Sequence, residues 1–149
     1  MSLEEKVMTE MKDAMKSKNE AALRSLRAIK AEIIKAKTEP GANGQVTAEG
    51  ELKLLQKMVK QRRDSLEIFE QQQRTDLANK EKEEISVIEK FLPAQLDPSA
   101  LKTALETIIS QTGAGPADLG KVMGIATKQL AGQADGKAIS AMVKSLLNP

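Results

Sequence analysis

The sequence predicts an all-α protein, with an N-terminal long helical hairpin domain over 1–93 and a small C-terminal three-helix domain over 97–149. Three observations predict it. Ala, Leu, Lys, Glu and Gln dominate, and these are strong helix formers. Apolar residues recur at the spacing of one helix face, without the alternating β-branched runs of strands. Residues that start and stop helices stand where those apolar stripes begin and end.

The first helix opens on a capping box, because Ser2 can cap the Glu5 amide while Glu5 reaches back. Leu3, Val7, Met8, Met11 and Met15 follow at helical spacing. The Ser17-Lys18-Asn19 stretch breaks the pattern, and Asn19 is suited to cap the next helix. There Leu23, Leu26, Ile29, Ile33 and Ile34 form a stripe. Glu39-Pro40-Gly41-Ala42-Asn43-Gly44 reads as a loop, being rich in turn formers. Thr47 can cap a third helix running to about Gln73, with Leu52, Leu55, Met58, Val59, Leu66 and Phe69 on its apolar side. Such a helix spans close to 40 Å at about 1.5 Å per residue, the length of a spine or a hairpin arm. A fourth helix is expected over about Asp76–Phe91, carrying Leu77, Ile85, Ile88 and Leu92 near its end.

Pro93 stops that helix, 93–98 forms the expected domain boundary, and hinge motion is expected at 93–97. Asp97 before Pro98 is a strong helix start. Three short helices are expected after it, over about 98–111, 117–131 and 136–147, with Gly113 and Gly132 at C-terminal caps.

Composition excludes several function classes. The 149 residues contain no Cys, His, Trp or Tyr and only two Phe. Disulfides, thiolate or imidazole catalysis, and the usual zinc and haem ligands are therefore out of reach. Any nucleic-acid binding has to work without rows of stacking aromatics. The chain is expected to use no cofactor and no metal. Glu81, Glu83 and Glu84 cluster, but Lys80 and Lys82 interleave them, and adjacent helical residues point apart. Gly115-x-x-x-x-Gly120-Lys121 imitates a phosphate-binding loop. It lacks the following Ser or Thr, which is Val122 here, and no strand precedes it. The N-terminus has no apolar signal region and no window is apolar enough to span a membrane, so a soluble cytoplasmic protein is expected.

The net charge of +2 hides a local asymmetry. From Leu52 to Arg63 there are five cations, Lys53, Lys57, Lys60, Arg62 and Arg63, and no acid. Lys53, Lys57 and Lys60 share one ridge of the helix, and Arg63 extends it. The second helix offers Arg24, Arg27, Lys30, Lys35 and Lys37 against Glu32. If these two helices pack antiparallel, both sets flank one groove suited to phosphates. Charged helix faces also arise for solubility alone. Arg62 differs from its neighbours, because it falls in the middle of the apolar face. It therefore needs a partner, and Glu81 and Glu84 are the candidates for a structural ion pair.

Taken in order, several segments resemble the GatB/YqeY family. They are Leu26-Arg27-x-Ile29-Lys30, Lys60-Gln61-Arg62-Arg63-Asp64-Ser65, Arg74-Thr75-Asp76-Leu77-Ala78 with Glu81 and Glu84, and Phe91-Leu92-Pro93-Ala94-Gln95-Leu96. Asp118-Leu119-Gly120-Lys121-Val122-Met123 and Ala134-Asp135-Gly136-Lys137-x-Ile139-x-x-x-Val143-Lys144 complete the set. The likeness covers essentially the whole chain and is to the free-standing YqeY-like branch. The sequence departs from the family pattern at Phe91, where Tyr is common, and at Gln73, where Gly often precedes the Arg.

The resemblance implies an all-α fold similar to the tail domain of the GatB component of tRNA-dependent amidotransferase, which engages tRNA. The family label that goes with it is carbon–nitrogen ligase with glutamine as amido donor. The residues themselves offer no catalytic set, so autonomous catalysis is not expected. The expected function is binding of tRNA or another structured RNA. Arg24, Arg27, Lys30, Lys53, Lys57, Lys60 and Arg63 would contact phosphates, with Lys121, Lys128, Lys137 and Lys144 as a second surface at exposed helix starts near 120 and 136. The alternative is a protein–protein adaptor that docks on an aminoacyl-tRNA synthetase or an amidotransferase subunit. No membrane partner is expected.

Overall fold

A computed structural model describes residues 1–148, and among these the only regular elements are helices. The α-helices are α1 (Leu3–Lys16), α2 (Glu20–Lys37), α3 (Ala48–Gln71), α4 (Thr75–Glu89), α5 (Pro98–Thr112), α6 (Leu119–Gln129) and α7 (Gly136–Leu147), with a short 3-10 turn at Pro116–Asp118. The all-α expectation holds.

Local chemistry sets the boundaries. Ser2 and Glu5 form both halves of the capping box on α1. Asn19, Thr47 and Asp97 cap α2, α3 and α5 through their side-chain oxygens. Gly113 ends α5 in the left-handed conformation, at φ +63°. Three ends differ from the sequence expectation. The third helix stops at Gln71, and Gln73 takes a left-handed φ of +57° to turn into α4. The fourth stops at Glu89 rather than Phe91, and 90–92 tighten into hydrogen bonds back to Val87, Ile88 and Glu89. Pro93 accounts for this, since the residue before a proline is driven out of the α region. The sixth is divided at Asp118, whose carboxylate accepts from the Gly115 N–H at 2.9 Å and holds the 3-10 turn.

The chain divides into two compact units, Met1–Leu92 and Pro93 onward. In the first, α1 packs on α2, α2 on α4, and α4 along α3, while α2 and α3 meet only lightly. Val7, Leu26, Ile29, Leu55 and Ile88 are its fully buried centre. Each such aliphatic side chain stabilises the fold by about 1.5–3 kcal/mol through burial. The one buried polar residue described, Ser25, donates to the Ala21 carbonyl at 2.9 Å and so costs little. In the second unit, Leu105, Val122, Ala126 and Val143 form the core between α5, α6 and α7.

Candidate functional site

The strongest polar constellation lies where α2, α3 and α4 converge. Arg62, on α3, donates from Nε to Glu84 Oε2 at 3.2 Å and from Nη1 to the Met58 carbonyl at 3.3 Å. Both members of that pair are largely sheltered, at 18% and 15% side-chain exposure. Arg24, on α2, donates to the other Glu84 oxygen at 2.9 Å and reaches Glu83 at 3.4 Å. One carboxylate of α4 is therefore shared by two guanidiniums from two other helices.

The Arg62–Glu84 partnership matches the sequence expectation. Arg62 and Glu84 stand equally far before and after Gln73, so a hairpin turning there brings them level. Glu81 behaves differently. Its Oε2 is buried without a hydrogen-bond partner. Burial, with the charge of Glu84 adding to it, pushes the Glu81 carboxyl above the usual range, while Arg62 and Arg24 oppose the shift. At the turn itself, Arg74 and Asp76 form an exposed pair. Its hydrogen bonding holds Asp76 below the usual carboxylate range.

The cations expected to contact phosphates are not one bare ridge. Arg24 is occupied by Glu83 and Glu84. Arg63 is held by Glu89 of α4. Lys53 pairs with Glu49 one turn earlier on α3, at 3.0 Å and in the open. The acid-free run from Leu52 to Arg63 concealed these partners because each lies outside it. Glu89 sits on another element, and Glu49 falls just before the run begins. Lys57 and Lys60 stay exposed on α3 with no ion pair among the described residues. Arg27 and Lys30 on α2 are also outside every ion pair described.

Nor do the two sets flank one groove as expected. A cleft of about 410 Å³ between the end of α2 and the start of α3 brings Lys35, Lys53 and Lys57 together, with Glu32 and Glu39 beside them. Arg27 and Lys30 do not line it. Lys30 is turned about 140° around the helix from Lys35, because each residue adds about 100°.

In the second unit, Lys121 and Lys128 lie on one face of α6, and Lys137 and Lys144 on one face of α7. All four are exposed and outside any described ion pair. The helix starts beside them are not open to anions in the way the sequence suggested. Asp135 caps α7, accepting from the Lys137 N–H at 3.3 Å. Asp118 stands at the entry to α6 with its own backbone partner. A carboxylate at each start already complements the positive end of the helix dipole.

No helix described is long and apolar enough to cross a membrane. Among the described residues no group of three acidic side chains is arranged to hold a metal ion.

A family model described as Yqey-like protein matches residues 4–147. Among curated proteins, altered inheritance of mitochondria protein 41, mitochondrial, of Pyrenophora tritici-repentis (strain Pt-1C-BFP) is 29% identical over 146 residues. That alignment takes in 95% of this chain and 79% of the relative. The protein of the same name from Clavispora lusitaniae (strain ATCC 42720) is 40% identical over 84 residues, 56% of this chain and 47% of the relative.

Proposed function

This chain belongs to the YqeY-like protein family, and we propose that within it the chain is a non-catalytic binding module for tRNA or another structured RNA. The observation that carries the proposal is the row Lys53, Lys57 and Lys60 on the open face of α3. Lys57 and Lys60 have no carboxylate partner among the described residues, and Lys35 stands across the cleft. The Lys53–Glu49 pair is solvent-exposed on both sides, so it is worth under about 1 kcal/mol and yields readily to a phosphate. Recognition is by backbone charge and shape, because the chain has no Trp or Tyr to stack on bases. Lys121, Lys128, Lys137 and Lys144 supply a second contact surface in the other unit. The module works in the cytoplasm, without cofactor or metal. The mitochondrial names are those of its relatives.

The test is a titration of bulk tRNA at two salt concentrations. Binding should weaken steeply with salt. Lys57→Glu combined with Lys60→Glu should lower affinity at least about tenfold and flatten the salt slope by about two, near 0.9 for each phosphate no longer neutralised. No binding at low salt, or binding indifferent to that pair of changes, removes the proposal. With glutamine as donor, the purified chain alone should form no amidated product.

A second reading is favoured by the neutralised arginines. Arg24 and Arg63 facing carboxylates, and Glu32 and Glu39 within the cleft, suit a protein partner better than a polyanion. On that reading the chain is an adaptor on an aminoacyl-tRNA synthetase or an amidotransferase subunit. Co-purification of such a partner, undiminished by the Lys57 and Lys60 changes, would favour it.

A further inference from the structure

We propose that α1 is a self-association surface, on which a second copy of this chain packs its own α1 antiparallel across Met8. Beside the charged residues that α1 turns away from the core, its shoulder carries two open methionines. Met8 is 38% exposed and Met15 53% exposed, seven residues apart on one line of the helix, with Met11 half-buried beside them. Ile34 of α2 is likewise open, at 49% exposure. Glu4 pairs with Lys37 across the α1–α2 hairpin. Large apolar side chains left open in a row are what an unpartnered interface presents.

Charge selects the occupant. On one flank of the methionine line run Glu5 and Lys12, also seven residues apart, both exposed and neither in a described ion pair. A two-fold axis at Met8 sets Glu5 of each copy beside Lys12 of the other, while Met8 meets Met8. A parallel pairing has its two-fold along the helices, which carries this flank to the far side of the partner, so Glu5 and Lys12 would not meet. The other flank is already neutral, because Glu4 and Lys37 satisfy one another there. The surface is therefore complementary to itself in the antiparallel sense only, which is the requirement of an isologous dimer.

The interface is short, since α1 extends about 21 Å at 1.5 Å per residue. An interface this small belongs with weak, transient associations, so the dimer is weak. Sedimentation velocity or light scattering of the full chain, from about 10 to 500 µM, reads it directly. The mass should rise toward twice that of one chain. Met8→Glu and Lys12→Glu should each weaken association at least tenfold, with helical circular dichroism unchanged. Glu5→Lys should also give single chains by setting lysine against lysine. Glu5 belongs to the α1 capping box, so the decisive measurement is an equimolar mixture of the Lys12→Glu and Glu5→Lys chains. The mixture restores both cross pairs and should associate where each variant alone does not.

A wild-type chain that stays single over the whole range would overturn the proposal. So would a dimer indifferent to Lys12→Glu, or a mixture that stays single. A single chain that floats with phosphatidylglycerol vesicles through Met8 would assign the face to a lipid surface instead.

Discussion

Glu84 accepts from two guanidiniums, and that sharing decides how each of them can be removed. Arg62→Met leaves Glu84 still held by Arg24. Its cost should therefore be about 2 kcal/mol, below the 3–5 kcal/mol of a fully stranded buried charge. Arg24→Met alone should cost about 0.5 kcal/mol, because Arg24 is 43% exposed and solvent screens its pair. The double variant should lose at least about 1 kcal/mol more than the sum, since neither arginine is left to neutralise the carboxylate. Urea unfolding of the four chains checks this, and additivity would show that the two arginines act separately.

Glu81 gives the opposite kind of residue effect. The folded chain holds its carboxyl above the usual value, chiefly through burial and then through Glu84. The folded state therefore keeps a proton that the unfolded state releases. The stability this adds is complete below the ordinary glutamate value of 4.5 and is lost as pH rises through the folded value. Above that window a buried anion with an unpartnered oxygen remains. Glu81→Gln should therefore raise the melting temperature at pH 7 and change it little at pH 4. An equal gain at both values would refute the titration. The Arg62–Glu84 pair was legible in the sequence because a charge inside an apolar stripe demands a partner. The orphaned Glu81 oxygen was not, because only packing decides which of two neighbouring carboxylates reaches the guanidinium.

At the scale of elements, the helices were read to within a few residues. Caps and stops act through side chains a turn away at most. Ser2, Asn19, Thr47 and Asp97 stand where the structure uses them. The misses share one cause, which is that helix ends tighten or turn before the apolar pattern runs out. Gln73 illustrates it. The turn between α3 and α4 requires a positive φ, and glutamine supplies it at +57° against steric resistance. The turn is therefore held in place at an energetic cost. Gln73→Gly should stabilise the chain by about 1 kcal/mol, the left-handed penalty relieved less the entropy that glycine adds to the unfolded state. A lower melting temperature for that variant would contradict the strain.

At the scale of the molecule, the first unit carries its own core, built on Val7, Leu26, Ile29, Leu55 and Ile88. A chain ending at Leu92 should keep its helical circular dichroism and melt cooperatively. Loss of the cooperative melt would mean that residues after Leu92 complete that core. If the α3 lysines carry the RNA contact, the same piece should retain the Lys57- and Lys60-dependent share of tRNA affinity.

The sequence by itself determined the helices, the apolar faces that bury them and the need of Arg62 for a carboxylate. Those follow from propensity, capping and helical periodicity, which operate within a few residues along the chain. Only the tertiary structure decided that α3 lies along α4 rather than against α2. That choice dismantled the expected cation groove, giving Arg24 to Glu84 and Arg63 to Glu89 while leaving Lys57 and Lys60 open. Whether a surface charge is free depends on which helices meet, and helix pairing is settled by the fit of whole faces rather than by any local run of residues.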